Sequence, residues 1–336
     1  MASLVEVAKR AGVAPSIVSR LLNNDPTLRI RFETRERIVR TVEDLAYTPN
    51  HAGRTLRSTR NGALGMIVPD VTNPLYGEIL RGAEDRAGED GYLVLLGNAN
   101  DLGQHEGPYK RLVAEGRIDG VLLQRNNVID DATLLRLTDT RVPTILINSR
   151  VASAHGSVIL DDEEGARVAT EHLIALGHEK IGHLGGPIVT DTARRRLQGF
   201  AQTLASAELP VRPEWVIEAG YEETGGYTAM RQLLTQPSRP TAVFVYTVAA
   251  ALGALIATRD AGVAVPDDLS IVAFHDAWIA KHTWPPLTTV QLPLFELGRG
   301  AVTMLLACID GAAPAHVVVR DPAPVLIERG STATIA

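Results

Sequence analysis

His172, His178 and His183 fall close enough together to raise the question of a metal centre. A zinc ion would need their ring nitrogens at one point, about 2 Å from the metal. Spacings of six and five residues do not place three side chains on one helical face, and Gly177 should end a helix between the first two. The single cysteine, Cys308, lies in the apolar run AVTMLLACIDG and reads as a small buried residue; alone, it excludes a disulfide within the chain. There is no GxGxxG after a strand, no GxxxxGK[ST] loop and no GxSxG elbow. Metal, cofactor and catalytic nucleophile are therefore not expected, and enzyme chemistry finds no support.

What remains is recognition chemistry. Residues 1–60 carry 11 Lys and Arg against 6 Asp and Glu, whereas residues 61–336 carry 22 against 33. A basic head on an acidic body is the electrostatic footprint expected for a phosphate-bearing partner. Within that head, Pro15, Ser16, Ser19 and Arg20 are the candidates to meet DNA. Arg20 is suited to bidentate reading of a guanine, and the serine hydroxyls to phosphates or either base.

The elements that would position these residues are three short helices. Ser3 and Glu6 form a capping-box pattern, with Leu4, Val5, Ala8 and Ala11 following at helical spacing. Gly12-Val13 stops that helix. A second starts at Pro15 and turns Val18, Leu21 and Leu22 inward; Asn23-Asn24-Asp25-Pro26 ends it. A third runs from about Thr34 to Leu45, with Ile38, Val39, Val42 and Leu45 facing inward. Such an arrangement is a helix-turn-helix, whose second helix enters the major groove. A three-helix interaction module has the same pattern and stays open on these residues alone.

From Gly62 onward, apolar runs such as ALGMIVPD, YLVLLGN, GVLLQ, TILINS, IGHLGG, AVFVYT and SIVAFHD alternate with helical stretches. That alternation predicts an α/β class with two doubly wound halves and a ligand crevice beyond the strand ends. No segment approaches the ~18 apolar residues of a membrane span, and MASLVEVAKRAG lacks the features of a signal peptide. A cytoplasmic protein acting at the nucleoid is expected, with no membrane partner.

The stretches VAKRAGVAPSIVSRLLNN, TRERI and LAYTPNHAGRTLR, at their fixed spacing, resemble the head and hinge of the LacI/GalR repressor family. VPDVTNPLYGEILRGAEDRAGEDGYLVLL, GRIDGVLL, EHLIALGHEKIGHLGGP, RRRLQGF, VPDDLSIVAFHD and PPLTTVQ resemble its periplasmic-binding-protein-like core. The resemblance implies a helix-turn-helix domain over 1–48, a hinge over 49–61, and an effector-binding and dimerisation domain over 62–336. It implies a repressor that binds a palindromic operator as a homodimer and responds to a small molecule. Asn23, Tyr47, Asn50, His51, Arg54 and Leu56 then join the DNA-binding set, with Leu56 as the wedge between base pairs in the minor groove. Ala14 stands where a capping serine is usual, and Gly53 where an alanine is usual, the latter costing roughly 1 kcal/mol of hinge-helix stability.

For the effector, the resemblance implies Tyr76, Asn148, Arg150, Arg196, Tyr221, Thr247, His275 and Asp276. Two departures stand out. Thr247-Val248 replaces an Asn-Asp pair, and Leu292 replaces a glutamine. The expected effector is a sugar or sugar derivative; a pocket with fewer hydrogen-bonding groups suits a free hexose poorly, which leaves a more apolar or modified compound, or a partly degenerate site, as alternatives. The competing class, a solute receptor for transport, would need a leader and no basic head. The final residues LIERGSTATIA show no heptads, which favours a dimer over a tetramer.

Overall fold

The computed structural model describes residues 2–22, 25, 27–47, 60–98, 113, 115–125, 142–151 and 156–335. The chain divides into two units, Met1–Asn61 and Gly62–Ala336.

The first unit holds α1 (Leu4–Ala11), α2 (Pro15–Leu22) and α3 (Phe32–Asp44). Ser3 caps α1, its hydroxyl accepting from the Glu6 amide at 3.2 Å. Gly12 closes the helix at φ 62°, a left-handed conformation that glycine adopts without steric cost. Val7, Ala8, Ala11, Val18, Leu21, Leu28 and Ile38 form the core, and Arg37 ties α3 to the end of α1 by donating from Nε to the Ala11 carbonyl at 2.9 Å. Val39, expected to face inward, is 43% exposed, and Val5, read at helical spacing with Ala8 and Ala11, is 63% exposed, its place taken by Val7. In each case the neighbouring helix covers only a narrow stripe, and a residue one position off that stripe stays wet. The third helix begins two residues earlier than its sequence pattern indicates.

The second unit contains two six-stranded sheets. The first orders its strands β11-β5-β4-β3-β1-β2, with β1 Ala63–Val68, β2 Leu93–Asn98, β3 Gly120–Leu123, β4 Thr144–Ile147, β5 Gly156–Leu160 and β11 His316–Val319. The second runs β12-β10-β9-β8-β6-β7, with β6 Ile181–Gly185, β7 Val216–Glu218, β8 Ala242–Val245, β9 Ser270–Phe274, β10 Thr288–Gln291 and β12 Val325–Ile327. Among the described residues every pairing is parallel except β10 with β12. Central strands such as β3, β4, β8 and β9 are buried at every residue, as parallel strands covered on both faces require.

Six helices accompany these strands among the described residues: α4 (Leu75–Glu89), α5 (Asp162–Ala175), α6 (Asp191–Ser206), α7 (Glu223–Leu234), α8 (Val248–Asp260) and α9 (Leu294–Ile309). Helix α9 follows β10 of the second sheet yet packs on β3, β4 and β5 of the first, beside α4. Gly82 and Gly298 allow that pair to approach, because a side chain at either would strike backbone of the partner helix. The chain thus passes between the sheets three times, at Asp161, at Leu292-Pro293 and between β11 and β12. Among the described residues no helix is long and apolar enough to cross a membrane. Cys308 is only partly covered, not buried.

Candidate recognition helix and effector cleft

On α2 the apolar and polar faces separate cleanly. Val18 and Leu21 are buried, while Pro15, Ser16 and Arg20 are exposed and Ser19 is half-buried. Spacings of one, four and five residues put these four on one side of the helix. Arg20 is not a free side chain. Its Nε donates to Asp25 Oδ2 at 2.6 Å and its Nη2 to Thr27 Oγ1 at 2.8 Å. Asp25 Oδ1 in turn accepts from the Thr27 amide at 2.8 Å and its hydroxyl at 2.7 Å. The bonds from Arg20 and Thr27 hold the Asp25 carboxyl down at about 2. Tyr47 packs half-buried against the head core. Asn23, Asn50, His51, Arg54 and Leu56 lie outside the described residues, as does most of the segment 49–61 expected to form the hinge.

In the second unit a cleft of about 660 Å³ opens where strands of both sheets end. Tyr76, Asn148, Arg150, Arg196, Tyr221, Thr247 and His275 all line it. The topology explains the convergence: loops at the carboxyl ends of parallel strands point to one edge. Asn148 directly follows β4 and His275 directly follows β9.

Arg196 is the organising side chain. It is fully buried, and its Nε donates to Asp162 Oδ1 at 2.7 Å, Nη1 to the Tyr246 carbonyl at 2.6 Å. Its guanidinium carbon lies 4.4 Å from the Tyr246 ring centre and 4.0 Å from that of Phe274. Charge, hydrogen bonding and two π faces together make a buried cation tolerable. Nη2 approaches His275 Nε2 at 3.1 Å. Arginine has only donors, so His275 accepts at Nε2 and carries its proton on Nδ1. Burial, reinforced by Arg196, holds the His275 pKa well below its usual value. Beside Arg196, Arg195 donates to the Leu160 carbonyl at 2.8 Å and pairs with Asp162 and Asp191.

Tyrosines supply the apolar faces. Tyr76 comes from α4 and Tyr221 from the loop after β7; Tyr221 meets Tyr246 edge to face at 5.5 Å. Burial raises the phenol pKa of both Tyr76 and Tyr221, so both stay neutral. Thr192 shares a 2.6 Å hydrogen bond with the Tyr246 hydroxyl.

Three sequence expectations change. Asp276 is absent from the cleft lining: its Oδ1 accepts from Thr289 at 2.7 Å and pairs with Arg329 at 2.7 Å. Thr247 lines the cleft, but its hydroxyl accepts from the Ala250 amide at 3.0 Å and donates to the Tyr221 carbonyl at 3.3 Å. It is the N-cap of α8. Leu292 is buried in the core and does not line the cleft. The three histidines also go separate ways, His172 to Thr332, His178 to Thr241 and Ser270, and His183 to the Phe244 carbonyl.

Gln124, Thr190, Thr192 and Tyr246 line the cleft without having been singled out from sequence. Gln124 ends the run GVLLQ as Asn148 ends TILIN, and that strand-end parallel is the signal that would have found it. Its Oε1 is buried without a hydrogen-bond partner among the described residues.

Comparison with known proteins agrees with this geometry. Residues 3–50 match the model of bacterial regulatory proteins of the lacI family, and residues 170–332 match that of the periplasmic binding protein-like domain. The HTH-type transcriptional repressor PurR of Haemophilus influenzae (strain PittEE) is 34% identical over 307 residues, 91% of this chain and 90% of that protein. A LacI family transcriptional regulator from Mycobacterium smegmatis shares 42% identity at a TM-score of 0.77, over 81% of this chain and 100% of that one. The lac repressor dimer bound to operator and the anti-inducer ONPF shares 27% identity at a TM-score of 0.83, over 100% of this chain and 99% of that one. A helix-turn-helix head, a pair of doubly wound sheets and a cleft built around Arg196 therefore have one common explanation: the chain belongs to the LacI family of bacterial transcriptional repressors.

Proposed function

We propose that this repressor reads its operator through Pro15, Ser16, Ser19 and Arg20, and that its affinity is set by a modified sugar in the Arg196 cleft. The operator is a palindrome and the protein binds it as a homodimer, one head per half-site. Asn23, Tyr47, Asn50, His51, Arg54 and Leu56 extend the DNA contact, Leu56 as the minor-groove wedge. These roles place the protein at the nucleoid, in the cytoplasm.

The observation that carries the effector class is the make-up of the cleft. Tyr76 and Tyr221 offer flat apolar surface, set in a lining that is otherwise rich in polar groups, Asp70, Asn73, Asn148, Asp191 and Arg196 among them. Thr247 has its hydroxyl committed to the helix cap, and Asp276 is paired elsewhere. A sugar bearing an apolar substituent would cover the tyrosines with that substituent while its hydroxyls meet the polar lining; a free hexose would leave the tyrosine faces uncovered.

The test is a thermal-shift screen against free hexoses, aryl and alkyl glycosides, sugar phosphates and nucleosides. A ligand at ~100 times its Kd adds about 2.7 kcal/mol of stability. The reading expects glycosides to raise the midpoint more than their parent sugars. A strong response to a plain hexose would overturn the effector class. Selected duplex DNA, titrated with and without the responding ligand, then tests the coupling between the two sites.

A further inference from the structure

The geometry points to Asp25 and Thr27 as positioning residues that aim Arg20 at a base. The inference rests on the reading of Arg20 as a base contact and extends it to the two residues that hold it. Arginine can present two different forks to an acceptor pair. One is the side edge formed by Nε and Nη2, the other the end edge formed by Nη1 and Nη2. Here Asp25 takes Nε at 2.6 Å and Thr27 takes Nη2 at 2.8 Å, so the side edge is filled. Neither residue uses Nη1, which leaves the end edge to meet the O6 and N7 of a guanine.

Three further bonds make the clasp rigid. Asp25 Oδ1 holds both the amide and the hydroxyl of Thr27, and the Asp25 amide donates to the Arg20 carbonyl at 3.0 Å. The guanidinium is thereby tied to two residues that lie beyond the end of its own helix. A long flexible side chain loses several rotors when it docks on a base; one held in place beforehand loses fewer. Asp25 is also an odd residue for a DNA-facing head, since a carboxylate near phosphates repels them. Its retention beside Arg20 is explained if it buys accuracy of reading at the expense of bulk attraction.

These two effects separate cleanly in experiment. Full-length protein is challenged with a randomised duplex pool, and the bases selected at each position are compared for wild type, Arg20→Ala, Asp25→Ala, Thr27→Val and the Arg20→Ala/Asp25→Ala double variant. Affinity for a fixed random-sequence duplex is measured alongside. Arg20→Ala should flatten preference at one base pair per half-site. Asp25→Ala should flatten the same base pair by about three- to tenfold, part of the range of a bidentate contact, while affinity for the random duplex holds or rises. Thr27→Val, which changes no charge, should give a smaller loss at that same position. The double variant should match Arg20→Ala in its profile.

If Asp25→Ala raises affinity for all sequences equally and leaves the profile intact, the residue is only a repelling charge and the inference is overturned. If Arg20→Ala leaves the profile intact, Arg20 reads no base, and the reading beneath the inference fails with it. Preference lost at many positions, together with random-duplex binding, in both Asp25→Ala and Thr27→Val would mark a damaged head and equally overturn the positioning role.

Discussion

Asn148 and His275 occupy equivalent places in the two sheets. Each directly follows the third strand in its sheet's order, β4 and β9, each has a positive φ of 46° and 71°, and each lines the cleft. Left-handed backbone is tolerated by asparagine, and costs other side-chain-bearing residues about 1–2 kcal/mol. Two such residues at matching strand ends mark the points where the main chain is turned sharply to bring a polar group to the crevice. Asn148→Ala should accordingly be less stable than Asn148→Gly by about 1 kcal/mol, although both remove the same polar group. Denaturant midpoints of the two variants give the comparison; equal midpoints would mean the turn is not enforced.

Acid should loosen the second unit through His183. This ring is fully buried between Phe200 and Phe244, and burial lowers its pKa to about 4. The folded state thus resists a proton that the unfolded chain accepts near pH 6.5. The stability is complete above pH 6.5 and is lost as the pH falls from there toward 4, by about 3 kcal/mol over the whole window. His183→Phe should flatten this fall in thermal midpoint, leaving a residue from His172, His178 and His275, which are lowered in the same direction.

Thr247→Ala removes the cap of α8 and should cost about 1 kcal/mol of stability. Thr247→Asp restores a capping oxygen and should cost much less. Neither change is expected to alter the affinity of a responding ligand by more than about twofold, because the hydroxyl is already engaged by Ala250 and Tyr221. A tenfold loss of ligand affinity in Thr247→Ala would return the residue to the binding set.

Gln124 should show the opposite balance. An acceptor buried without a partner costs about 1–3 kcal/mol, and Oε1 of Gln124 is such an atom at the cleft wall. Gln124→Leu should raise the melting point of the ligand-free protein or leave it unchanged, while shrinking the rise produced by ligand. A lower midpoint with an undiminished ligand response would show that the amide supports the fold and not the ligand.

The sequence made the strongly apolar strands legible, since β1, β3, β4, β6, β8 and β9 are continuous runs flanked by helical periodicity. It left β7, β11 and β12 obscure because they are three or four residues long and partly exposed at sheet edges. The cleft was legible where one residue announces a strand end, as Asn148 and His275 do. It was not legible where function depends on which partner a side chain finds. Asp162 and Arg196 are 34 positions apart, and nothing local in either segment states that they pair. Thr247 is ambiguous for the converse reason: the same hydroxyl can cap a helix or bind a ligand, and here it lines the cleft while engaged by the local backbone. Val5 and Val39 show the same limit in the head, where a helical pattern one residue wide of the true stripe reads equally well.

Three passages of the chain between the sheets mean that neither lobe is a heritable module. The first sheet receives its edge strand β11, and the second its edge strand β12, from the final stretch of the chain. A frameshift or stop codon ahead of His316 would therefore injure both lobes at once, including the one whose other five strands had long since been translated. Recombination that exchanged effector lobes between relatives would need several coordinated breakpoints. The head, by contrast, can be traded at one seam, so new operator specificity should spread through such genes more readily than new ligand lobes.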